Sequence, residues 1–351
     1  MSPYVIFIFL TSLGLGTTIT FASSHWLLAW MGLEINTLAI LPLMAQNHHP
    51  RAVEATTKYF LTQATAAAMI LFATTMNAWL TGNWEIQQTF HPTILAITMM
   101  SLGLKLGLAP MHWWLPEVLQ GLDLSTGLIL STWQKLAPMI LIYQISLETN
   151  QLMMVILGLT SALVGGWGGL NQTQLRKILA YSSIAHMGWM MIILNYVPSL
   201  TLLNLTIYIV MTYTAFMTLK MMSATKINVL AMTWTKAPLM VTMNLMTMLS
   251  LAGLPPLTGF MPKWLILQEL TKQGLPLIAT LMAMTALLSL FFYLRICYTM
   301  SLTISPNTNN AKTPWRVKSK QISMPLSTAT VMTTMLLPMT PSVMMLFTMT
   351  S

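Results

Sequence analysis

The 351 residues of the chain are 55% hydrophobic and only 7% charged, with a formal net charge of +9 at pH 7. An ordinary soluble domain carries about 25% charged residues, so this composition excludes a water-soluble protein. Apolar runs of about 20 residues recur along the sequence, each long enough to cross a hydrocarbon core of about 30 Å. The runs are continuous and do not alternate in polarity, which argues against a membrane β-barrel and predicts an all-α, polytopic membrane protein.

Polar residues divide the chain into about eleven predicted transmembrane helices. In chain order these are 3–22, 24–45, 57–80, 93–120, 125–145, 150–170, 175–195, 200–220, 238–270, 276–300 and 322–348. The first lacks the basic leader and cleavage site of a signal peptide, so it is predicted to be a span. The fourth and ninth are too long for a simple crossing and contain glycine and proline, so both are predicted to be broken helices.

Basic residues in the loops are distributed very unevenly. Alternating the loops across the membrane puts twelve at one face, namely Arg51, Lys58, Arg176, Lys177, Lys220, Lys226, Lys236, Arg295, Lys312, Arg316, Lys318 and Lys320. Only Lys272 falls at the other face. The positive-inside rule then places the N-terminus on the side where the chain is synthesised. This topology explains the net charge, so no nucleic-acid partner is predicted.

Three basic residues remain, and all three fall inside predicted spans: Lys105, Lys135 and Lys263. At about 1.5 Å per residue, Lys105 and Lys135 lie roughly 15 to 18 Å deep, near the midplane. Glu34 and His186 reach a similar depth in the second and seventh spans, whereas the depth of Lys263 is less well defined. A charge at the bilayer centre costs roughly 2.5 to 3.5 kcal/mol, which favours a functional network of ionisable groups.

Two structural alternatives account for the same charges. Glu34 and a lysine could form a static buried ion pair, or the lysines could extend their ammonium groups to the interface. The second alternative suits Lys263 best and Lys135 least.

The two predicted broken helices resemble each other. Segments 101–119 and 250–270 both begin with Ser-Leu, pass through a proline-containing break and end on Trp-Leu, at Trp114 and Trp264, which are 150 residues apart. Five spans begin between the two copies, so they cross the membrane in opposite directions, as in an inverted-topology repeat.

Broken helices expose backbone groups that hydrocarbon cannot satisfy, so water is expected near Pro110 and Pro255. That hydration is what a lysine such as Lys105 needs if its charge is to change. His112 and Glu117 lie in the second half of the first broken helix and are possible relay residues. The alternatives are a hydrogen bond from His112 to a freed carbonyl and a solvated helix end at Glu117.

Redox chemistry has no visible site in the sequence. The single Cys297 cannot form an internal disulfide, an iron–sulfur site or a haem attachment. No glycine fingerprint for a dinucleotide and no phosphate-binding loop is present.

Five segments carry a resemblance to a known family: WMGLEINTLAILPLM, EATTKYFLTQATA, GLKLGLAPMHWWLPEVLQGLDLSTGLILSTWQKLAP, QLRKILAYSSIAHMG and LSLAGLPPLTGFMPKWLILQEL. The chain resembles the subunit 2 family of NADH dehydrogenase (ubiquinone), the mitochondrially encoded, antiporter-like membrane subunits of respiratory complex I. The resemblance implies a single antiporter-like membrane domain over 1–351. In it, 93–145 holds the first broken helix and a bridging helix, 238–300 the second broken helix and the helix after it, and 322–348 the C-terminal helix.

The family's proton path, carried onto this chain, implies a relay through Glu34 with Lys105, then Lys135, then Lys263. His186, like the two residues of the first broken helix, is a further possible relay residue. The resemblance implies that NADH, flavin, iron–sulfur clusters and ubiquinone are bound by other subunits, and that this chain holds no cofactor and no metal.

The resemblance also implies a location in the mitochondrial inner membrane, with the N-terminus on the matrix side. Expected partners are the other membrane-arm subunits, including the neighbouring antiporter-like subunits, and lipids such as cardiolipin near the basic loop 305–320. Bacterial members have fourteen spans, and this chain is expected to lack three of them at the N-terminus. Two other functions remain open, a scaffold with locked ion pairs and a free-standing antiporter.

Overall fold

The computed structural model describes residues 2–46, 48–87, 91–146, 149–235, 237–302 and 324–349. Within these ranges the regular elements are helices, which confirms the predicted all-α class. They are α1 (Pro3–Ala22), α2 (Trp26–Met44), α3 (Pro50–Thr81), α4 (Pro92–Leu106), α5 (Trp114–Gly121), α6 (Leu124–Ile145), α7 (Gln151–Gly168), α8 (Leu175–Ile193), α9 (Pro198–Met221), α10 (Ile227–Met232), α11 (Pro238–Ala252), α12 (Phe260–Lys272), α13 (Pro276–Leu302), α14 (Met324–Met335) and α15 (Thr340–Met349).

Six of these helices are long and apolar enough to cross a membrane: α1, α2, α3, α7, α9 and α13. The shorter apolar helices α4 and α11 are the first parts of the two predicted broken helices. Several begin with proline at their first position, where the missing N–H has no helical acceptor in any case. The chain is therefore a multi-pass membrane protein, and the number of eleven crossings stays a prediction.

Both predicted breaks are present. The fourth span is interrupted between α4 and α5, and the ninth between α11 and α12. α4 and α11 each end at a glycine with a left-handed backbone, Gly107 (φ 78°) and Gly253 (φ 83°), a conformation that costs other residues energy. Each break also contains a cis peptide bond before proline, Ala109–Pro110 and Pro255–Pro256.

The described helices differ from the predicted spans in three places. The predicted C-terminal helix 322–348 is two helices, α14 and α15, separated by a 3-10 turn at Leu337–Met339. Pro338 and Pro341 lack the N–H groups that a continuous helix needs there. α3 begins at Pro50 instead of 57, and the predicted loop after α9 contains the short helix α10.

Part of the predicted basic face lies outside the described residues, namely Lys236 and the loop 305–320 with Lys312, Arg316, Lys318 and Lys320.

The chain forms two compact units, Met1–Ser161 and Ala162–Ser351, with the division inside α7. In the first unit α1 packs on α2, α3 packs on α4 and α5, and α6 contacts α1, α2 and α4. In the second unit α9 contacts α8, α11, α12, α14 and α15, while α13 packs on α11 and α12.

The first two helices make their closest approach at two glycines. A Cβ atom on Gly16 would lie 2.9 Å from the carbonyl oxygen of Gly32, and one on Gly32 would lie 2.8 Å from that of Gly16. Small residues at such a crossing let helix backbones touch within a membrane. This contact fixes the position of α2 in the first unit.

Large apolar side chains are exposed on many helices, among them Tyr4, Phe7, Trp79, Trp167 and Leu302. Exposed apolar surface of this extent is typical of a chain that faces lipid or neighbouring subunits.

Candidate functional site

Lys105 lies in the last turn of α4, and its side chain is buried. The helix ends there because the N–H of Gly107 bonds to the carbonyls of Gly103 and Leu104. The negative end of the helix dipole therefore lies near the ammonium group and stabilises positive charge there. Within the described part of the chain, the Nζ atom of Lys105 has no hydrogen-bond partner. Burial and packing thus hold this lysine in place.

Glu34 lies in the middle of α2 and is half-buried. Its carboxylate exerts a Coulombic attraction on Lys105. No ion pair within 4.0 Å joins these two described residues, and the Oε2 atom of Glu34 is buried without a hydrogen-bond partner among the described groups. The two groups therefore act on each other across a gap, and a static ion pair of Glu34 with Lys105 is not formed.

Lys135 is buried on α6, three residues before Pro138. Because proline has no N–H, the carbonyl of Gln134 loses its usual helical donor. The side chain of Gln134 donates a hydrogen bond of 3.2 Å to the carbonyl oxygen of Asn36, which ties α6 to α2. One helical hydrogen bond of α6 is thus missing next to Lys135, and the helical hydrogen bonds of α4 likewise end next to Lys105.

One small cavity brings Lys105 and Lys135 together. The space open to the centre of a water molecule within it is about 10 Å³. Its lining combines both lysines with polar and aromatic groups: Leu33, Asn36, Thr37, Tyr59, Gln63, Lys105, Leu106, Trp114, Leu115, Leu130, Gln134, Lys135, Ala137 and Pro138. The two lysines of the first unit therefore share a cavity whose lining includes several polar side chains, next to the first helix break.

Lys263 belongs to the second unit and lies in the first turn of α12. Its Nζ atom donates a hydrogen bond of 2.8 Å to the carbonyl oxygen of Ala252, at the end of α11. A Cβ atom on Gly253 would lie 2.9 Å from Cδ and 3.0 Å from Nζ of Lys263. The absence of a side chain at Gly253 thus lets the lysine reach the freed carbonyls of the break. Lys263 is anchored at the break and does not extend away to an interface.

The two breaks share one backbone geometry. The residues that correspond between them, which we call the register of the repeat, differ from those paired on the sequence. Gly107 and Gly253 both end their helices in the left-handed conformation. The N–H of the following residue bonds five residues back in each case, from Leu108 to Gly103 and from Leu254 to Leu249. Equivalent positions are therefore 146 residues apart. The spacing of 150 was wrong because it matched tryptophan side chains instead of backbone.

The corrected register pairs the second helices of the breaks from their first residues, Trp114 and Phe260. Glu117 then corresponds to Lys263, and each follows a proline in the sequence. The same position carries an acid in the first unit and a base in the second.

Glu117 lies in the first turn of α5 and is exposed. Its Oε2 atom forms an ion pair of 2.8 Å with Nζ of Lys58, which also pairs with Glu54 at 2.8 Å. The structure thus places Glu117 in an exposed ionic cluster and not in the cavity of the two lysines.

The two histidines lie in different surroundings. His112 is buried in the break after α4, and its Nδ1 atom lies 3.3 Å from the carbonyl oxygen of Pro110. This is the contact with a freed carbonyl weighed from the sequence. His186 is buried on α8 in the second unit, with its ring centroid 5.5 Å from that of Tyr208.

Sequence reasoning missed the uncharged polar residues of the cavity, above all Asn36 and Gln63. Their signal was present, since each is an amide inside an apolar helix. Neither amide carries a charge, so a pattern of charged residues does not reveal it.

Comparison with known proteins identifies the chain. The family model described as NADH:quinone oxidoreductase/Mrp antiporter, TM, matches residues 23–289, and the model for the NADH dehydrogenase subunit 2 C-terminus matches residues 290–344. The NADH-ubiquinone oxidoreductase chain 2 of Carassius auratus is 68% identical over 99% of this chain and 100% of its own length. The chain belongs to the NADH-ubiquinone oxidoreductase chain 2 family.

Other members and solved structures agree with this assignment. The chain 2 protein of Oncorhynchus mykiss is 68% identical over 98% of both sequences. A chain of respiratory complex I from Thermus thermophilus superimposes with a TM-score of 0.85 and 26% identity, over 98% of this chain and 80% of that one. A chain of the Mrp complex from Dietzia, at 17% identity and a TM-score of 0.76, covers 88% of this chain and shares the fold.

Membership in the NADH-ubiquinone oxidoreductase chain 2 family confirms the predicted antiporter-like fold. It makes the chain a membrane subunit of an NADH-ubiquinone oxidoreductase, with other subunits of that complex as its partners.

Proposed function

We propose that the chain translocates protons in the membrane arm of respiratory complex I, through a relay of Glu34, Lys105, Lys135 and Lys263. The observation that carries the proposal is the cavity shared by Lys105 and Lys135. Two buried amines beside one polar space can exchange a proton, and a helix break lies next to them. His186, His112 and Glu117 stay possible relay residues within the proposal.

The coupling step is electrostatic. A unit charge pair 4 Å apart in an effective dielectric near 20 interacts by about 4 kcal/mol. Since Glu34 is not held against Lys105 by an ion pair, a change in its charge or distance alters how strongly Lys105 holds a proton. Lys105 then exchanges a proton with Lys135.

Lys263 serves the same process in the second unit. The supporting feature is its hydrogen bond to the carbonyl of Ala252. This contact holds an amine at the helix break, where freed backbone groups need hydrogen bonds from protein or water.

The rest of the complex supplies the energy in this proposal. NADH, flavin, iron–sulfur clusters and ubiquinone are bound by other subunits, and their chemistry reaches this chain as a change in charge. The membrane is the mitochondrial inner membrane, with the N-terminus on the matrix side, as the twelve basic residues against one favour. Anionic lipid such as cardiolipin binds near the basic loop 305–320.

The test replaces Lys105 in the assembled complex. Lys105→Met should leave assembly intact but lower coupled NADH:ubiquinone activity and proton pumping. Lys272→Met is the matched control, since Lys272 is an exposed lysine paired with Glu269 at 3.6 Å. Normal pumping by an assembled Lys105→Met complex would refute the relay.

A scaffold with locked charges predicts a different pattern. Glu34→Gln would then impair assembly, and the double variant Glu34→Gln with Lys105→Met would restore it, because removing one partner of a buried ion pair leaves an uncompensated charge and removing both does not. Blue-native electrophoresis of Glu34→Gln, Lys105→Met and the double variant, together with pumping assays, separates the proton relay from the scaffold.

A further inference from the structure

Two buried amide side chains in the first unit lack hydrogen bonds that their chemistry requires. Asn36 is 2% exposed and Gln63 is 3% exposed. Neither polar atom of the Asn36 amide has a partner among the described residues, and the same holds for Nε2 of Gln63. Buried polar atoms in folded proteins are nearly always hydrogen-bonded, to protein or to ordered water. Ordered water is therefore the partner that remains for these atoms.

The position of the two amides says where that water lies. Asn36 on α2 and Gln63 on α3 both line the cavity of Lys105 and Lys135. Its volume of about 10 Å³ for the centre of a water molecule is close to the minimum for one water. A water needs two to four polar partners to be held in a buried site. The cavity offers the two amides and the two lysines.

The orientation of the Asn36 side chain is constrained by its contact with α1. A Cβ atom on Gly16 of α1 would collide with the Oδ1 atom of Asn36. The glycine leaves room for the amide at the crossing of α1 and α2, so the side chain is confined between two helices and has little freedom to turn elsewhere.

We propose that Asn36 and Gln63 are positioning residues that hold a water molecule between Lys105 and Lys135. The inference rests on the proposed proton relay. Amides offer both N–H donors and a carbonyl acceptor, so the two amides together can hold a water in either orientation. The water accepts a proton from the Lys105 ammonium and gives one of its own to the neutral Lys135 amine. Lys105 loses one proton, Lys135 gains one, and the water is restored.

The first experiment removes each amide in the assembled complex. Gln63→Met and Asn36→Leu keep the approximate size of the side chain and remove its hydrogen bonds. Gln144→Met is the matched control for Gln63, because Gln144 also has a buried amide atom without a partner in the described structure but does not line the cavity. Asn77→Leu is the control for Asn36→Leu, because Asn77 on α3 is also a buried asparagine but does not line the cavity.

The expected result is a loss of coupled turnover and proton pumping by about threefold to tenfold in the two cavity variants, with assembly retained. Their solvent deuterium isotope effect should rise, since a proton transfer becomes rate-limiting, whereas the controls should keep the parent value. A purely structural role would lower the amount of complex without changing the isotope effect.

The second experiment is a density map of the unmodified complex at a resolution that shows ordered water. Water within hydrogen-bond distance of Asn36 or Gln63 and of a lysine is expected, and a dry cavity overturns the inference even if a variant fails to assemble. Lys105→Met separates the two proposals. If it abolishes pumping while the amide variants behave as their controls, only the water site fails.

Discussion

The indole of Trp114 donates a hydrogen bond of 2.9 Å from Nε1 to the carbonyl oxygen of Leu104, the residue before Lys105. Trp114 begins α5, so this bond crosses the first helix break and satisfies a backbone group at the end of α4. A buried tryptophan thus links the two halves of the broken helix next to Lys105.

Trp114→Phe should therefore destabilise the first unit by about 1 kcal/mol, because the Leu104 carbonyl loses the indole donor and keeps only its 3.2 Å bond from the N–H of Gly107. Thermal unfolding of the isolated complex, followed by the loss of assembled enzyme with temperature, measures the change. Trp113→Phe is the control, since Trp113 is 71% exposed. Equal behaviour of the two variants would show that the hydrogen bond contributes nothing.

Gly253→Ala should impair proton pumping more than its effect on stability explains. The left-handed backbone alone costs about 1–2 kcal/mol for alanine, and the new methyl group would also push Lys263 away from Ala252. Gly274→Ala is a matched control, because Gly274 also has a positive φ of 73° but no atom lies within 4 Å of its Cβ position.

Pumping per NADH oxidised, measured for equal amounts of assembled complex, separates the two glycines. A common loss at both positions would assign the effect to backbone strain and contradict a role for Gly253 in placing the lysine.

Gly32→Ala should weaken the contact of α1 with α2, since its methyl group would meet the backbone of α1. Overpacking of this kind costs about 1–3 kcal/mol. Gly14→Ala, on the open side of α1, should be neutral or slightly stabilising, because alanine favours helix over glycine by about 1 kcal/mol. Blue-native electrophoresis after mild heating compares them, and a stable Gly32→Ala complex would count against the close crossing.

Glu117→Gln should leave coupled activity close to that of the parent, because Glu117 lies in an exposed cluster with Lys58 and Glu54. Glu34→Gln should lower it, since Glu34 acts on Lys105 in the interior. Proton pumping by both variants in one preparation gives the comparison. A larger loss for Glu117→Gln would bring that residue into the relay.

The broken helices were predictable from the sequence because glycine and proline interrupt two long apolar runs. Their register was not, since Trp114 and Trp264 form a conspicuous match that the backbone does not follow. The break between α14 and α15 was missed although Pro338 and Pro341 mark it. Apolar composition alone does not show where a helix stops.

The site could be predicted in part. Lys105 and Lys135 were expected at one depth, and the structure places both at one cavity. Depth along a helix does not give the direction of a side chain, so the gap between Glu34 and Lys105 could not be foreseen. Asn36 and Gln63 carry no charge, so a pattern of charged residues inside the spans does not reveal them.

The carbonyl partner of Lys263 differs from a carboxylate in one respect. An ammonium group and a neutral amine both have N–H bonds to offer, so the oxygen of Ala252 accepts a hydrogen bond from either form. A carboxylate would attract the side chain strongly when charged and release it when neutral. Lys263 can thus keep its place in either ionisation state, and the proposed relay needs no swing of the side chain at this point.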